Sequence, residues 1–209
     1  MFRTARFVPA TFAVAALLSA AACGSQSDSP AATATPSTAP AASTVQVRAA
    51  IPATAAHFTV TTSDATADHT FPADFYAGAF GCTAANHAPH LRWSGAPAAA
   101  KSFAVTMFDP DAPTGAGFWH WMNWDIPSTA TDFTAGAAGV AGTNDAGAPG
   151  YLGPCPPAGD KPHNYQITVL ALDTPTMGLP ATSTPTVASF SMNSHIIGAA
   201  QLTLTAVRD

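Results

Sequence analysis

No glutamate occurs anywhere in the 209 residues, and Asp, Lys and Arg together supply only 9% of them. Soluble domains ordinarily carry about 25% charged residues. Long amphipathic surface helices draw on Glu, Lys and Arg, both for helix propensity and for ion pairs one turn apart. Nineteen prolines and fifteen glycines act in the same direction, because they divide a chain into short strands joined by turns. The expectation is an all-β domain. The formal charge is −5, and two of the seven basic residues, Arg3 and Arg6, stand at the extreme N-terminus. No basic patch is left to follow a phosphate backbone, which excludes nucleic acid as a partner.

Arg3 and Arg6 precede an apolar run from Phe7 to Leu18, then small residues from Ser19 to Ala22, then Cys23. A basic start, a short apolar stretch and a small-residue cleavage site describe a secretory signal peptide over 1–22. The run is too short to span a bilayer comfortably. Small residues ending in cysteine resemble a bacterial lipobox, which makes Cys23 the expected lipidation site and the protein an exported, membrane-anchored lipoprotein. Its acyl chains would contribute roughly 0.8 kcal/mol per buried CH₂. Cleavage nearby, without lipidation, is the alternative. Residues 23–55 are Ala, Ser, Thr and Pro with few large apolar side chains, a composition suited to a tether. The domain is expected over 56–209, starting where HFTVT at 57–61 alternates like a strand.

With Cys23 set apart, Cys82 and Cys155 remain. In an oxidising compartment an even remainder points to a disulfide. Two free thiols, or half of a metal site, are the alternatives, and without a CxxC spacing zinc is disfavoured.

Three strands are expected to end in polar features. KSFAVTMF at 101–108 runs into Asp109-Pro110-Asp111-Ala112-Pro113, where the prolines must end any sheet pairing. Simple alternation in FWHWMNWDI at 118–126 places Phe118, His120, Met122, Trp124 and Ile126 on one face. The stiff Gly153-Pro154-Cys155-Pro156-Pro157 loop leads into HNYQITVLALD at 163–173, where His163 and Tyr165 share a face with Ile167 and Val169. Each feature alone fits an ordinary core or turn. Together they gather polar side chains where rigid elements present loops.

The combination resembles the phosphatidylethanolamine-binding protein family, in its bacterial Raf-kinase-inhibitor-like branch. The matching stretches are FGC at 80–82, LRWSGAP at 91–97, SFAVTMFDPDAP at 102–113, FWHW at 118–121, GYLGPCPP at 150–157 and HNY at 163–165. The resemblance implies a large antiparallel sheet packed on a smaller one, with few, peripheral helices. It implies a ligand pocket formed by Asp109, Asp111, His120, Gly153, Pro154, His163 and Tyr165, and a cis bond between Ala112 and Pro113. The sequence departs from the family at Asn86-His87-Ala88-Pro89-His90, where Asn-x-Ser-Pro is usual. It departs again over 174–193, which is Thr/Pro-rich, and at the C-terminus, which lacks a tyrosine.

Two histidines and a tyrosine hydroxyl can donate to phosphate oxygens, with the backbone N–H of Gly153 or its loop adding to them. One aspartate can hold a histidine in its charged form, and the other can face a cation such as the ammonium of a phosphoethanolamine head. The expected ligand is therefore a small phosphate-like anion or phospholipid head group, with no cofactor and no metal. No nucleophile-and-base signature such as HExxH or GxSxG is present, so the expectation is a binding protein and not an enzyme. The rivals are a phosphoester hydrolase and a protein-binding or inhibitory module acting through loops such as 136–150. His195 reads as structural, and His57, His69, His87 and His90 as surface residues.

Overall fold

The structure, a computed structural model, describes residues 51–209. The signal peptide expected over 1–22, the lipidated Cys23 and the tether up to residue 50 lie outside the described residues. In chain order the strands are β1 (Ala56–His57), β2 (Thr59–Thr62), β3 (Leu91–Ser94), β4 (Ser102–Asp109), β5 (Phe118–Pro127), β6 (Asp132–Phe133), β7 (Val140–Ala141), β8 (His163–Leu172) and β9 (Ile196–Ala206). One helix, α1 (Pro185–Asn193), precedes the last strand. Six strands form the large sheet in the order β1-β9-β8-β4-β5-β7, and β2-β3-β6 form the small one. Pairing is antiparallel except at one edge, where β1 runs parallel to β9.

β4 and β8 occupy the middle of the large sheet and are covered on both faces, which is why their sequences are nearly continuous apolar runs and not alternating ones. On one face Phe103, Val105, Met107, Ile167 and Val169 meet Val60, Leu91, Trp93 and Phe133 of the small sheet. On the other, Ala104, Leu170 and Leu172 pack with Ala188 and Met192 of α1. Ile51 and Ala55 join this second cluster, so packing begins a few residues ahead of the expected start at residue 56.

β5 corrects the alternation argument. Met107 pairs with Trp121 and Phe108 with Trp119, leaving His120 as an extra residue; a second irregularity falls between the Phe103–Ile126 and Val105–Asn123 pairs. The two bulges reverse the facing of the strand. Trp121 and Ile126 face the small sheet, whereas Met122 and Trp124 face α1. A bulge adds one residue to one strand and so re-aims the side chains beyond it. Asp125, at the second bulge, takes a left-handed backbone (φ 57°). Its carboxylate accepts from Met177 N and Thr176 Oγ1, both at 2.8 Å, which ties down the Thr/Pro-rich segment.

That segment ends in α1, a short helix despite its threonines and prolines. Pro185 stands at its first turn, where no N–H partner is needed, and the Thr184 side chain accepts from Val187 N. Residues 136–150, the loop named for a protein-binding role, are also anchored. Gly142 N donates to Met122 O, and the buried Asn144 holds Ala146 N and Gly150 O through its side chain. The expected cis Ala112–Pro113 bond is corrected: every peptide bond among the described residues is trans. Trans is the lower-energy form of an X–Pro bond, and here a Thr114 hydroxyl bond to Gly117 O at 2.6 Å closes the turn.

Cys82 and Cys155 are joined as a disulfide across 73 residues of sequence. Closing a loop of that length stabilises the fold by roughly 4 kcal/mol in the chain-entropy model.

Candidate functional site

β4 ends at Asp109, which is buried and divides its carboxylate between two tasks. Oδ1 accepts from Asp111 N at 2.8 Å, turning the chain, and Oδ2 meets His163 Nδ1 at 2.8 Å. His163 opens β8 and is 1% exposed. Its other nitrogen, Nε2, lies 3.1 Å from Asp160 Oδ2. With a carboxylate at each nitrogen the imidazolium donates twice. Burial alone would depress its pKa, but the bonds to Asp109 and Asp160 outweigh burial and hold it above the usual histidine value. The same contact draws the Asp160 carboxyl below its ordinary range.

Tyr165 lies two residues along the same face, as alternation in β8 requires, with its ring stacked beside His163 at 6.4 Å. Burial first, then the Asp109 charge, push its phenol well above the ordinary value. It therefore remains a hydroxyl and a potential donor.

His120 reaches this face because it is the bulged residue of β5. Its ring packs 4.8 Å from Phe118 and 5.1 Å from Tyr165. Nδ1 lies 3.0 Å from Leu152 O, and a carbonyl can only accept, so Nδ1 carries the proton. The Gly153 backbone also acts on the ring, and the one well-formed hydrogen bond of the imidazole is at Nδ1. Burial lowers the His120 pKa despite the Leu152 carbonyl, which favours the neutral ring until a proton is supplied. His120 and His163 flank one tyrosine with opposite protonation preferences.

The 150–157 loop is held by Asn86, whose side chain donates to Tyr151 O at 3.2 Å and accepts from Gly153 N at 2.7 Å. Gly153 passes so close to the 3₁₀ turn Ala73–Phe75 that a Cβ there would lie 2.1 Å from Phe75 O. Pro154 O accepts from Ala77 N at 3.0 Å.

These elements enclose a cavity of about 320 Å³ whose wall includes Asp109, His120, Gly153, His163 and Tyr165, five of the seven residues singled out from sequence. The other two stand behind it. Asp111 accepts from Lys161 Nζ and from both Asn164 N and Nδ2 at 2.9 Å. Its carboxyl is held far below the usual range, first by Lys161 and then by Asn164. It fastens the Asp-Pro turn to the start of β8 and faces no ligand space. Pro154 is buried as a brace against Ala77. Two further expectations change. The Gly153 N–H is occupied by Asn86, and both His163 nitrogens are occupied by carboxylates, so neither is a free donor. Of the residues singled out from sequence, those that face the cavity as donors are His120, once protonated, and the Tyr165 hydroxyl, which Asp109 also engages.

Sequence reasoning passed over Arg208, Phe80 and Phe118 on the same wall. Phe118 and the FGC match at 80–82 were visible in sequence. Arg208, next to the last residue, carried no signal, because only the β8–β9 register brings it here. Among the described residues no cluster of three or more metal-binding side chains occurs, and no helix is long and apolar enough to cross a membrane.

Two packed sheets with a cavity at the ends of β4, β5 and β8, lined by histidine, aromatic and proline side chains, define the class: a two-sheet β-protein. The sequence model of the phosphatidylethanolamine-binding protein family matches residues 61–207, and the chain belongs to that family. YbcL of Escherichia coli K12 is 39% identical over 171 residues, covering 77% of this chain and 93% of YbcL. The YbcL crystal structure superimposes with a TM-score of 0.70 at 37% identity, over 73% of this chain and 99% of that one. The Chlamydia trachomatis homologue CT736 gives a TM-score of 0.63 at 28% identity, over 73% and 99%. LppC of Mycobacterium tuberculosis, named as a candidate lipoprotein, is 41% identical over 96 residues, 44% of this chain and 47% of LppC.

Proposed function

We propose that this chain is an exported, lipid-anchored binding protein whose cavity takes a small phosphate-bearing anion or zwitterion of the phosphoethanolamine type. The observation that carries this reading is the His120 ring, bonded through Nδ1 to Leu152 O and set beside Tyr165 on the wall of a cavity of about 320 Å³. An anion arriving there stabilises the protonated ring, which then donates to it. The neighbouring Asp109 and Asp160 carboxylates limit how much negative charge a ligand can bring there, which favours one that also carries an ammonium. The family description names a phosphatidylethanolamine ligand, in keeping with this chemistry. The basic, apolar and small-residue segments before Cys23, together with the name of LppC, support export and anchoring on the extracytoplasmic side.

The reading is of a binder and not an enzyme. Asp109 and Asp160 are both committed to His163, so neither carboxylate is free to serve as the base a nucleophile needs. A protein-binding reading has one observation in its favour, the exposed Val187 and Phe190 on α1; it would place the partner on the helix and not on loop 136–150.

Thermal unfolding of the protein with phosphoethanolamine, phosphate and sulfate, beside His120→Ala, tests the proposal. A ligand at 100 times its dissociation constant adds roughly 2.7 kcal/mol to the native state. The expected result is a raised midpoint in the wild type and none in the variant. No shift with any probe at millimolar concentration would move the protein-binding reading to first place.

A further inference from the structure

We infer that Arg208 is the cation that receives the anionic group in this cavity, and that it restricts the site to ligands whose head carries a single net negative charge or none. The inference rests on the anion-binding reading above and adds to it a residue and a ligand class.

Arg208 follows β9, whose last residue, Ala206, pairs with His163. The sheet register therefore delivers the chain end beside the buried histidine. The backbone there is tied on both sides. Val207 N donates to the Tyr76 hydroxyl at 3.1 Å, which donates to Val207 O at 2.9 Å, and Arg208 O accepts from Gly159 N at 2.9 Å. A residue just past the end of a strand frays unless its backbone is tied down. This one is held.

Its side chain is equally placed. Nη1 lies 3.4 Å from Phe80 O and 3.4 to 3.5 Å from the two disulfide sulfurs. A Cβ on Gly81 would sit 3.2 Å from Nη1, so glycine at that position leaves room for the guanidinium. Yet no carboxylate among the described residues lies within ion-pair distance of it. Its Nε is buried without a hydrogen-bond partner. A guanidinium cannot escape by losing its proton. A fixed, always-charged group with an orphan N–H on a cavity wall is an incomplete ion pair, and the missing member is an anion.

The surrounding charges decide which anion. Asp109 and Asp160 contribute two negative charges and the His163 imidazolium one positive; Asp111 is neutralised by Lys161. Arg208 cancels the remaining negative charge. Protonated His120, on which the Asp145 carboxylate also acts, then leaves at most one positive charge for the ligand. A phosphodiester head, or a phosphomonoester whose second charge is offset by its own ammonium, stays within that balance, and inorganic phosphate as a dianion exceeds it.

Calorimetric titration of the intact protein at about pH 6 and at about pH 7.5 tests this, the phosphate comparison being read at the higher pH, where the free ion is chiefly a dianion, using glycerophosphoethanolamine, phosphoethanolamine and inorganic phosphate as probes. The first represents a lipid head group and the last a free ion. The proteins are the wild type, Arg208→Gln, Arg208→Lys and His120→Ala, with each variant's unfolding midpoint recorded to show that it is folded. The expected result is that the organophosphates bind more tightly than phosphate, that R208Q weakens them about tenfold or more, as loss of a charge-assisted bond does, and that R208K recovers most of the loss. If folded R208Q binds like the wild type while H120A does not bind, Arg208 has no such role and the cavity reading survives. If inorganic phosphate binds most tightly, the charge restriction is wrong. If no probe binds the wild type, the cavity reading fails and takes this inference with it.

Discussion

Asp111 and Asp109 stand two residues apart in one Asp-Pro turn and do different work. Asp109 faces the cavity and the His163 ring, whereas Asp111 faces Lys161 and Asn164 behind the wall. From the motif alone the two are interchangeable, because a turn's spacing does not say which carboxylate its twist turns inward. Asp111→Ala removes the acceptor for three donors, one of them a lysine. The expected outcome is a loss of about 1 to 2 kcal/mol in denaturant unfolding with unchanged affinity for a phosphodiester probe. An affinity loss matching that of His120→Ala would put Asp111 back in the site. His120 and His163 show a similar limit. Both were legible as inward histidines on strand ends. That one would be locked between carboxylates and the other bonded to a backbone oxygen depended on Asp160 and the Leu152 carbonyl, neither of which advertises itself in sequence.

At the scale of elements, β8 was legible and β5 was not. Strict alternation from His163 to Ala171 survives because β8 pairs on both sides with long, nearly regular partners. β5 has β4 on one side and only the two-residue β7 on the other, so nothing prevents bulges at His120 and Asp125. A period-2 argument carries no information about an extra residue, and here the extra residue is the one that brings His120 to the cavity. The 150–157 loop makes the complementary point. Its glycine and prolines marked it as rigid, and the structure adds what it is rigid against, the Phe75 carbonyl and Asn86. Gly153→Ala should force that backbone contact apart and cost about 1 to 3 kcal/mol, measured as a lower unfolding midpoint. A midpoint equal to wild type would show that the loop has slack the geometry does not suggest.

For the molecule as a whole, the composition argument held: with almost no material for surface helices, the described residues contain one short α-helix on the outer face of a two-sheet core. The departures are at edges, in the parallel β1 and in packing that reaches back to Ile51. The disulfide and the sheet register act together over long sequence distances, bringing residues near 80, 120, 155, 163 and 208 around one cavity. Such long-range assembly explains why Arg208 escaped a reading made from local motifs.

The central claim is that the cavity binds an anion by protonating His120. Burial lowers the His120 pKa from the ordinary histidine value, which favours the neutral ring in the free protein, so a ligand that needs the imidazolium takes up a proton on binding. The bonds to Asp109 and Asp160 raise the His163 pKa despite burial, so His163 holds its proton to higher pH than His120 does. The decisive measurement is the affinity for glycerophosphoethanolamine, whose own charge is constant from about pH 5 to about pH 8. Affinity should be greatest at the acid end and fall as pH rises, by up to about tenfold per unit where one proton is coupled. The His120→Ala variant should show weak, pH-independent binding. A wild-type affinity that is flat across this range would contradict the account.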